Sequence, residues 1–367
     1  MRDVIVVGGG IMGLMTAREL ARAGRSVLLL DKAQPGTGAT WSSAGIISPH
    51  GSSGAADLAG EAGVRLRLPS YEMWLDLPDA LIEESGMDPE FRLTGVLLLA
   101  INDEEKQVVL DKAKTRQWGD TEWIEPKDLS GEEPALSEKL VGALLVKGGN
   151  VDVRRLGASL EIACRRAGVE IRAGVLTQEI VCDENYVRGV KTSEGNFEAP
   201  LVVICAGVGS ASILGAKPAP PVTPQRGQLV ALDAREIGIR RVLMNVSDPY
   251  FVPRSDGKLI IGATREFAGE DPRLTAGGIS LLLGGAIEMI PALEKAPILE
   301  TWTGFRPLSS DHLPLIGEGH IPGLFFCTGH GPTGITPAPL SAALVTSAIT
   351  GAESSIDLAP YDPRRFA

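Results

Sequence analysis

Residues 4–13 read VIVVGGGIMG, and this stretch decides the fold. Its apolar, β-branched start is typical of a buried parallel strand that ends at glycines. Gly8, Gly10 and Gly13 follow the G-x-G-x-x-G spacing, which permits a tight turn, close backbone approach to a pyrophosphate and close helix packing. Residues 14–23 are good helix formers, and the start of such a helix points free N–H groups at phosphates. The stretch therefore predicts a strand, turn and helix that bind a dinucleotide.

A second apolar strand is expected at Ser26–Leu30, and Asp31 follows it. The acid comes about twenty residues after the glycines, where dinucleotide folds place a carboxylate that receives ribose hydroxyls. Next comes a segment rich in Gly, Thr and Ser, residues 36–45. Its small hydroxyl-bearing side chains suit backbone packed against a flat cofactor, and a plain surface loop is the alternative. We expect both features to contribute to the dinucleotide site.

The composition limits the class of protein. The 367 residues exceed the size of a single hydrophobic core, and a hydrophobic content of 44% suffices for about two packed domains. A net charge of −11 argues against a nucleic-acid partner, which requires a basic face. The sequence contains no run of about 18 apolar residues that would predict a membrane span. Because the first strand leaves no room for a signal peptide, we expect a cytoplasmic protein.

Four cysteines are scattered along the chain without a C-x-x-C pair. They are Cys164, Cys182, Cys205 and Cys327. Each lies in an apolar stretch, so the sequence predicts ordinary buried thiols, with no disulfide and no metal site.

The first two thirds of the chain predict a mixture of helices and short strands. Helical periodicity covers residues 55–84, with a break at Pro69, and also residues 103–118 and 152–167. Strands are expected at residues 95–101, 140–146, 169–171, 175–182, 187–192 and 201–205. These elements resemble the remainder of a doubly wound domain, which would resume after an insertion near residues 76–149.

A proline-dense linker at residues 218–224 marks a change in pattern. Beyond it, a helix is expected at residues 279–290, and short strands are separated by turn signals. The strands are predicted at residues 228–232, 241–246, 250–253, 259–261, 298–305 and 324–327. The last strand leads through a glycine turn into a helix at residues 339–350. The fold class is therefore α/β, α+β overall: a Rossmann-like dinucleotide domain with a second, mostly antiparallel-sheet domain for the substrate.

Later motifs narrow the choice of family. They are RGQ at 226–228, YFVPR at 250–254, IGAT at 261–264, GFRP at 304–307, PLIG at 314–317 and TGHGPTG at 328–334. In this order the motifs resemble the D-amino-acid-oxidase superfamily of FAD-dependent oxidoreductases, and most resemble its bacterial glycine oxidase and sarcosine oxidase-type amine oxidases. The resemblance covers essentially the whole chain. It divides the chain into an FAD-binding domain of residues 1–75, 150–220 and 305–367, and a substrate-binding domain of residues 76–149 and 221–304.

The resemblance implies an enzyme that oxidatively deaminates a small amino acid or secondary amine, of the glycine, sarcosine or D-amino acid class. Hydride would pass from the α-carbon to flavin N5 and leave an imine, and electrons would continue to oxygen or another acceptor. One alternative is an FAD-dependent 2-hydroxy-acid or imino-acid dehydrogenase that reduces a quinone or partner protein. Another is a non-catalytic flavin subunit of a complex. A homo-oligomer is compatible with all three.

Arg306 and Tyr250 are the expected catalytic and substrate-binding residues. Arg306 ends a predicted buried strand, where a bidentate substrate carboxylate would satisfy the guanidinium, and an internal salt bridge is the alternative. Tyr250 lies where family members place a tyrosine over the substrate, and a packed core tyrosine is the alternative. The resemblance adds Ile46 and Pro332 to the substrate contacts.

The glycine turn at residues 328–334 is the second expected cofactor element. A strand, glycine loop and helix present N–H groups that can stabilise the negative edge of a reduced flavin, and an ordinary capped turn is the alternative. Within it, His330 is interpreted as a structural residue or flavin contact, with a catalytic base as the alternative. The predicted FAD contacts are Gly8, Gly10, Ile11, Met12, Gly13, Asp31, Lys32, Thr40, Ser42, Ser43, Ala44, Gly45, Thr177, Ala206, Gly207, Gly329, His330, Gly331, Thr333, Gly334 and Ile335.

The chain departs from its relatives at three informative places. Some relatives attach flavin covalently through a histidine where this chain has Ser42, and others through a cysteine in a region where Pro307–Ser310 contains none. We therefore expect non-covalent FAD. Glycine oxidase has an arginine in the last glycine turn where this chain has Pro332, which argues against strict glycine specificity.

Overall fold

A computed structural model describes residues 2–51, 59–115, 119, 121–183, 186–246 and 249–366. The helices are α1 (Ile11–Arg22), α2 (Ala39–Ser42), α3 (Gly60–Ser85), α4 (Asp103–Thr115), α5 (Pro126–Glu132), α6 (Val153–Arg166), α7 (Ala276–Met289) and α8 (Ala338–Thr350). The strands are β1 (Val4–Val7), β2 (Val27–Asp31), β3 (Ile46–Ile47), β4 (Val96–Ala100), β5 (Glu122–Ile124), β6 (Gly142–Val146), β7 (Gly149–Asn150), β8 (Glu170–Ala173), β9 (Thr177–Asp183), β10 (Tyr186–Thr192), β11 (Gly195–Glu198), β12 (Leu201–Ile204), β13 (Val222–Asp233), β14 (Val242–Asn245), β15 (Tyr250–Pro253), β16 (Lys258–Gly262), β17 (Ile298–Ser309), β18 (Leu315–Glu318) and β19 (Leu324–Thr328).

The first sheet is six-stranded, in the order β18-β19-β12-β1-β2-β8. All its neighbouring strands are parallel except β18, which runs antiparallel to β19. Strand β1 lies between β12 and β2, and Val4 is in register with both Leu201 and Val27. The carboxyl ends of β1, β2, β12 and β19 therefore meet at one edge, where doubly wound folds bind their ligands.

Both faces of the first sheet are covered. Helices α1, α3, α6 and α8 pack together on one face, around buried side chains such as Leu14, Trp74 and Leu160. The three-stranded sheet β11-β10-β9 covers the other face, where Val190 packs with Ile5. Because both faces are covered, β1 is buried along its whole length, as its continuous apolar sequence predicts.

The second sheet is eight-stranded, in the order β17-β13-β16-β15-β14-β4-β6-β5, and only the pair β14 and β4 is parallel. The long strands β13 and β17 pair from Val222↔Ser309 to Leu232↔Ile298. Helix α7 packs on one face of this sheet, where Leu282 and Phe251 share a core. The predicted fold class, a parallel nucleotide-type sheet with a largely antiparallel second sheet, is confirmed.

Some local expectations are wrong. Helix α3 runs through Pro69 and Pro78 without a break, since Trp74 and Leu81 bury its face in the core beyond Pro69. The linker expected at 218–224 ends early, because β13 begins at Val222 and Pro224 is already in register with Pro307.

Cys182 is exposed, whereas Cys164, Cys205 and Cys327 are buried as predicted. Cys182 lies on β9, at the edge of the three-stranded sheet, so alternate side chains of its apolar stretch face solvent. The start of the helix expected from residue 55 and the end of the one expected to residue 118 lie outside the described residues. None of the helices within the described ranges combines the length and apolar character of a membrane span.

Candidate active site

A large cavity of about 1130 Å³ lies between the carboxyl edge of the first sheet and the β13–β17 region of the second. With the exception of Gly13, every residue that the sequence predicts as a cofactor or substrate contact lines this cavity. The structure thus brings together residues from seven separate regions of the chain, which are 8–12, 31–46, 177, 206–207, 250, 306 and 329–335, although their binding roles stay predictions.

The first glycine turn uses its glycines in two different ways. A Cβ at Gly8, where φ is +105°, would lie 2.5 Å from the carbonyl oxygen of Cys205, and one at Gly13 would lie 1.7 Å from that of Gly8. These two glycines are required by packing within the protein itself. At Gly10 the nearest atom to a Cβ would be Thr40 Oγ1 at 3.4 Å, so the protein leaves room there. This free space is compatible with close approach by an outside group.

Helix α1 begins directly behind this turn, at Ile11 rather than at residue 14. Its N-cap, Gly10, has no side-chain cap, and the Ile11 N–H donates to Thr40 Oγ1 at 2.9 Å. Thr40 belongs to the small-residue segment, which forms the short helix α2. The segment is therefore packed against the glycine turn and lines the cavity, rather than forming a plain surface loop.

Asp31 ends β2 and lies beside the same turn. One carboxylate oxygen accepts a hydrogen bond from the Gly9 N–H, and the other accepts from the Ala33 N–H at 2.7 Å. These bonds fix the side chain at the cavity wall. A carboxylate has about four lone-pair sites, so Asp31 keeps acceptor capacity for a ligand hydroxyl.

The second glycine turn follows β19 and leads into helix α8, in the order that the sequence predicts. Gly329 and Gly331 have φ of +78° and +57°, and a 3₁₀ turn covers Gly331–Thr333. Helix α8 begins at Ala338, one residue before its predicted start. The residues of the turn line the cavity, whereas the helix starts just beyond it.

His330 is buried within this turn and lines the cavity. Its Nε2 lies 3.0 Å from Ser341 Oγ on α8. Burial lowers the pKa of His330 to about 3. A general base works best with a pKa near the working pH, so the burial and lowered pKa of His330 agree with the interpretation as a structural residue, which stays a prediction.

Arg306 lies on β17 and projects across its partner strand. Its Nη1 donates to the carbonyl oxygens of Thr264 at 3.1 Å and Arg226 at 3.5 Å. The guanidinium lies over Gly227, because a Cβ there would be 2.7 Å from Nη2 and 2.9 Å from Nη1. Any side chain at position 227 would displace it.

Tyr250 opens β15 and is half-buried. Its ring lies across Gly262, where a Cβ would come within 2.6 Å of the phenol oxygen. Gly262 is also its cross-strand partner on β16. Tyr250 is thus packed on one side and lines the cavity on the other, which combines the two alternatives that the sequence leaves open.

Ser42 ends the short helix α2, and it packs tightly. A Cβ at Gly304 would lie 2.3 Å from Ser42 Oγ, and Trp302 Nε1 donates to the Ser42 carbonyl oxygen at 2.9 Å. These contacts join α2 to β17, so the small-residue segment and the Arg306 strand form one wall.

Several cavity residues escape sequence reasoning. They include Ser48, Gln178, Leu229, Met244, Asn245, Arg265, Glu270 and Thr303. Arg265 and Glu270 bring charge to the substrate side, and only the preceding IGAT motif could have pointed to them. No cluster of potential metal ligands occurs among the described residues.

Comparison with known proteins defines the class. A family model described as "DAO: FAD dependent oxidoreductase" matches residues 3–348, and the chain belongs to this family. It is an FAD-dependent oxidoreductase of the glycine oxidase and D-amino-acid oxidase type, as predicted.

Particular relatives place the chain near glycine oxidases. It is 32% identical over 370 residues to glycine oxidase of Pseudomonas putida, covering 99% of this chain and 98% of the relative. It is 31% identical over 370 residues to the bifunctional protein ThiO/ThiG of Trichormus variabilis, covering 100% of this chain but only 55% of that protein. The chain thus spans about half the length of the bifunctional relatives.

Solved structures of amine-oxidising enzymes are also similar to this chain. The crystal structure of glycine oxidase from Geobacillus kaustophilus superposes with a TM-score of 0.92 at 30% identity, covering 100% of this chain and 99% of that one. Iminodiacetate oxidase from Chelativorans has a TM-score of 0.85 at 25% identity, with 99% of each chain covered.

Proposed function

We propose that the protein oxidises a small primary or secondary amine that carries a carboxylate, and that Arg306 and Tyr250 bind this carboxylate. One observation carries the proposal: Arg306, whose guanidinium lies over the cavity residue Gly227, lines the same cavity as both glycine turns. A cation beside a dinucleotide site selects an anionic substrate, and the guanidinium fork matches a carboxylate. The glycine oxidases and the iminodiacetate oxidase among the similar proteins act, by name, on amines of this class.

The residues present fit FAD. The cavity exceeds the usual size of a small-molecule site, about 300–1,000 Å³, and so has room for a dinucleotide together with a small substrate. The open space at Gly10 suits a pyrophosphate, and Asp31 suits ribose hydroxyls. When bound, FAD would supply the acceptor for the hydride, that is one proton with two electrons, that leaves the substrate. With Ser42 and Pro307–Ser310 offering no histidine or cysteine, we propose that it is held non-covalently.

The protein would contribute orientation and electrostatics rather than a base. Arg306 and Tyr250 would fix the carboxylate end of the substrate, which aligns its α C–H bond with the acceptor. The amine nitrogen, once neutral, drives loss of hydride through its own lone pair, so no side chain has to remove a proton from carbon. The product imine then adds water and yields an oxo acid and an amine or ammonia.

A 2-hydroxy acid is the second candidate substrate, because it shares the carboxylate. Its hydroxyl proton would require a base, and His330 with a pKa of about 3 is poorly suited. We therefore favour amines.

The domain boundaries predicted from the sequence remain part of this proposal, with residues 76–149 and 221–304 carrying the substrate side. Arg306 itself lies just beyond the second range, on β17, a strand that crosses the predicted boundary between the two domains.

Product analysis tests the function. Purified protein is incubated with glycine, sarcosine and D-alanine, and separately with glycolate and lactate. We expect an oxo acid and stoichiometric ammonia or methylamine from at least one amine. Turnover of the hydroxy acids without turnover of any carboxylated amine would contradict the proposal.

A further inference from the structure

The RGQ motif at residues 226–228 carries a network of charged and polar side chains behind the proposed carboxylate site. Strand geometry directs alternate residues to opposite faces, so Arg226 and Gln228 share one face of β13 and Gly227 has the other. On the first face, the Glu266 carboxylate pairs with Arg226 and accepts from Gln228 Nε2 at 2.7 Å and from Thr264 Oγ1 at 2.5 Å. We call these four residues, Arg226, Gln228, Thr264 and Glu266, the Glu266 network.

The opposite face of the same strand holds Arg306. In the β13–β17 register Gln225 is paired with Arg306 and Gly227 with Gly304, so Gly227 and Arg306 are diagonal neighbours on one face. This explains why the guanidinium lies where a Cβ of residue 227 would be. The motif thus joins a carboxylate network on one side of the strand to the substrate arginine on the other.

Backbone groups connect the two faces. Arg226 and Glu266 exchange main-chain hydrogen bonds, at 2.9 Å from Arg226 N–H to Glu266 carbonyl and 3.0 Å in return. The two carbonyl oxygens that accept from Arg306 Nη1 belong to Arg226 and Thr264, both members of the network. Side chains that fix these residues therefore also fix the acceptors that orient the guanidinium.

We propose that Glu266 is a positioning residue, which sets the orientation of Arg306 for the substrate carboxylate by holding Arg226, Gln228 and Thr264 in place. This inference rests on the proposed function, in which Arg306 binds that carboxylate. Partial burial opposes ionisation of Glu266, but hydrogen bonds from Thr264, Arg226 and Gln228 outweigh it and lower its pKa. The carboxylate is therefore ionised across the neutral range.

The chain offers a matched control for a purely structural role. Arg18 and Glu84 form an ion pair with nearly the same exposure, 4% and 30% of their side chains, against 6% and 28% for Arg226 and Glu266. Neither Arg18 nor Glu84 lines the cavity. Glu84→Gln should thus reproduce the stability loss of Glu266→Gln without its effect on the substrate.

The test compares Glu266→Gln with Glu84→Gln in the FAD-loaded enzyme. The measurements are KM and kcat for the best carboxylated amine, the melting temperature, and the Kd of glycolate from its perturbation of the flavin spectrum. We expect Glu266→Gln to raise KM and the glycolate Kd roughly 10- to 100-fold with a smaller change in kcat, since misplacing a binding group is costly. Glu84→Gln should lower the melting temperature alone. Equal behaviour of the two variants would overturn the proposal.

A second variant perturbs Arg306 from its own face of β13, opposite the Glu266 network. Gly227→Ala leaves the Glu266 network intact but pushes on the guanidinium, so it should also raise KM and the glycolate Kd. In an Arg306→Ala background, neither Glu266→Gln nor Gly227→Ala should weaken glycolate further, because both act through Arg306. Additive losses would overturn the positioning role. The Arg306→Ala variant separates failure of the positioning role from failure of the proposed function. If Arg306→Ala alone leaves glycolate binding unchanged, Arg306 does not bind the carboxylate and the proposed function fails. If Arg306→Ala weakens glycolate binding but the losses are additive, only the positioning role fails.

Discussion

Replacement of Arg306 is the perturbation that most sharply probes substrate recognition. A guanidinium has five N–H donors, so the bond from Nη1 to Thr264 O is compatible with a paired contact to a carboxylate. Arg306→Ala removes both the charge and this bond. Arg306→Lys keeps the charge but replaces the planar fork by a point donor.

The size of the effect follows from the contact. Hydrogen bonds to charged groups are worth about 1.5–3 kcal/mol each, and Arg306 is only half-buried, which weakens the pair. We expect about 2–4 kcal/mol for the whole contact, or roughly 30- to 700-fold in an equilibrium constant. Arg306→Ala should lose this amount, and Arg306→Lys should fall between it and the parent enzyme. Because the contact exists in both the bound substrate and the transition state, most of the loss should appear in KM.

Steady-state kinetics on matched pairs measure this effect. Each carboxylated amine is compared with its decarboxylated counterpart, for example sarcosine with dimethylamine, at equal FAD content. Arg241→Ala is the control, since Arg241 directly precedes β14, pairs with Glu132 and does not line the cavity. An equal loss on both members of a pair would refute carboxylate binding by Arg306.

Three further predictions concern the cofactor and the glycine turn. Gly10→Val should abolish FAD binding, seen as colourless protein, whereas Gly284→Val on the exposed face of α7 should stay yellow. Acid precipitation should release all flavin into the supernatant, and colour left in the pellet would contradict non-covalent binding. Burial lowers the pKa of His330 from 6.5 to about 3, so between these pH values the unfolded state binds a proton that the folded state does not. The free energy of unfolding should therefore fall as the pH drops from 6.5 to 3, by at most about 1.4 kcal/mol per pH unit. In urea unfolding, His330→Gln should reduce the slope of the unfolding free energy against pH. An unchanged slope would contradict the burial-lowered pKa of His330.

Features set by local sequence could be predicted. The glycine spacing at residues 8–13 fixes a turn and a helix start within a few residues, so β1 and α1 follow directly from it. The apolar run before it has no polar face, which requires burial on both sides and hence a parallel sheet. The GFRP motif also predicts that Arg306 lies at a strand, and the structure has it on β17 at the cavity, while its binding role stays a proposal.

Features set by long-range pairing could not be predicted from the sequence. Glu266 lies 40 residues from Arg226, and only the pairing of β13 with the segment after β16 brings them together. The same holds for Arg265 and Glu270, whose place at the cavity depends on how the second sheet meets the first. The break predicted at Pro69 does not occur, because core packing of α3 outweighs the local cost of a proline.

Anaerobic reduction of the flavin tests the central claim most directly. Purified yellow protein is mixed with carboxylated amines (glycine, sarcosine, D-alanine), with the matching hydroxy acids, and with the matching decarboxylated amines, and flavin absorbance is followed without oxygen. The account predicts bleaching by at least one carboxylated amine, and much slower or no bleaching by its two counterparts. Bleaching by hydroxy acids alone, or equally fast bleaching by the decarboxylated amine, would contradict it.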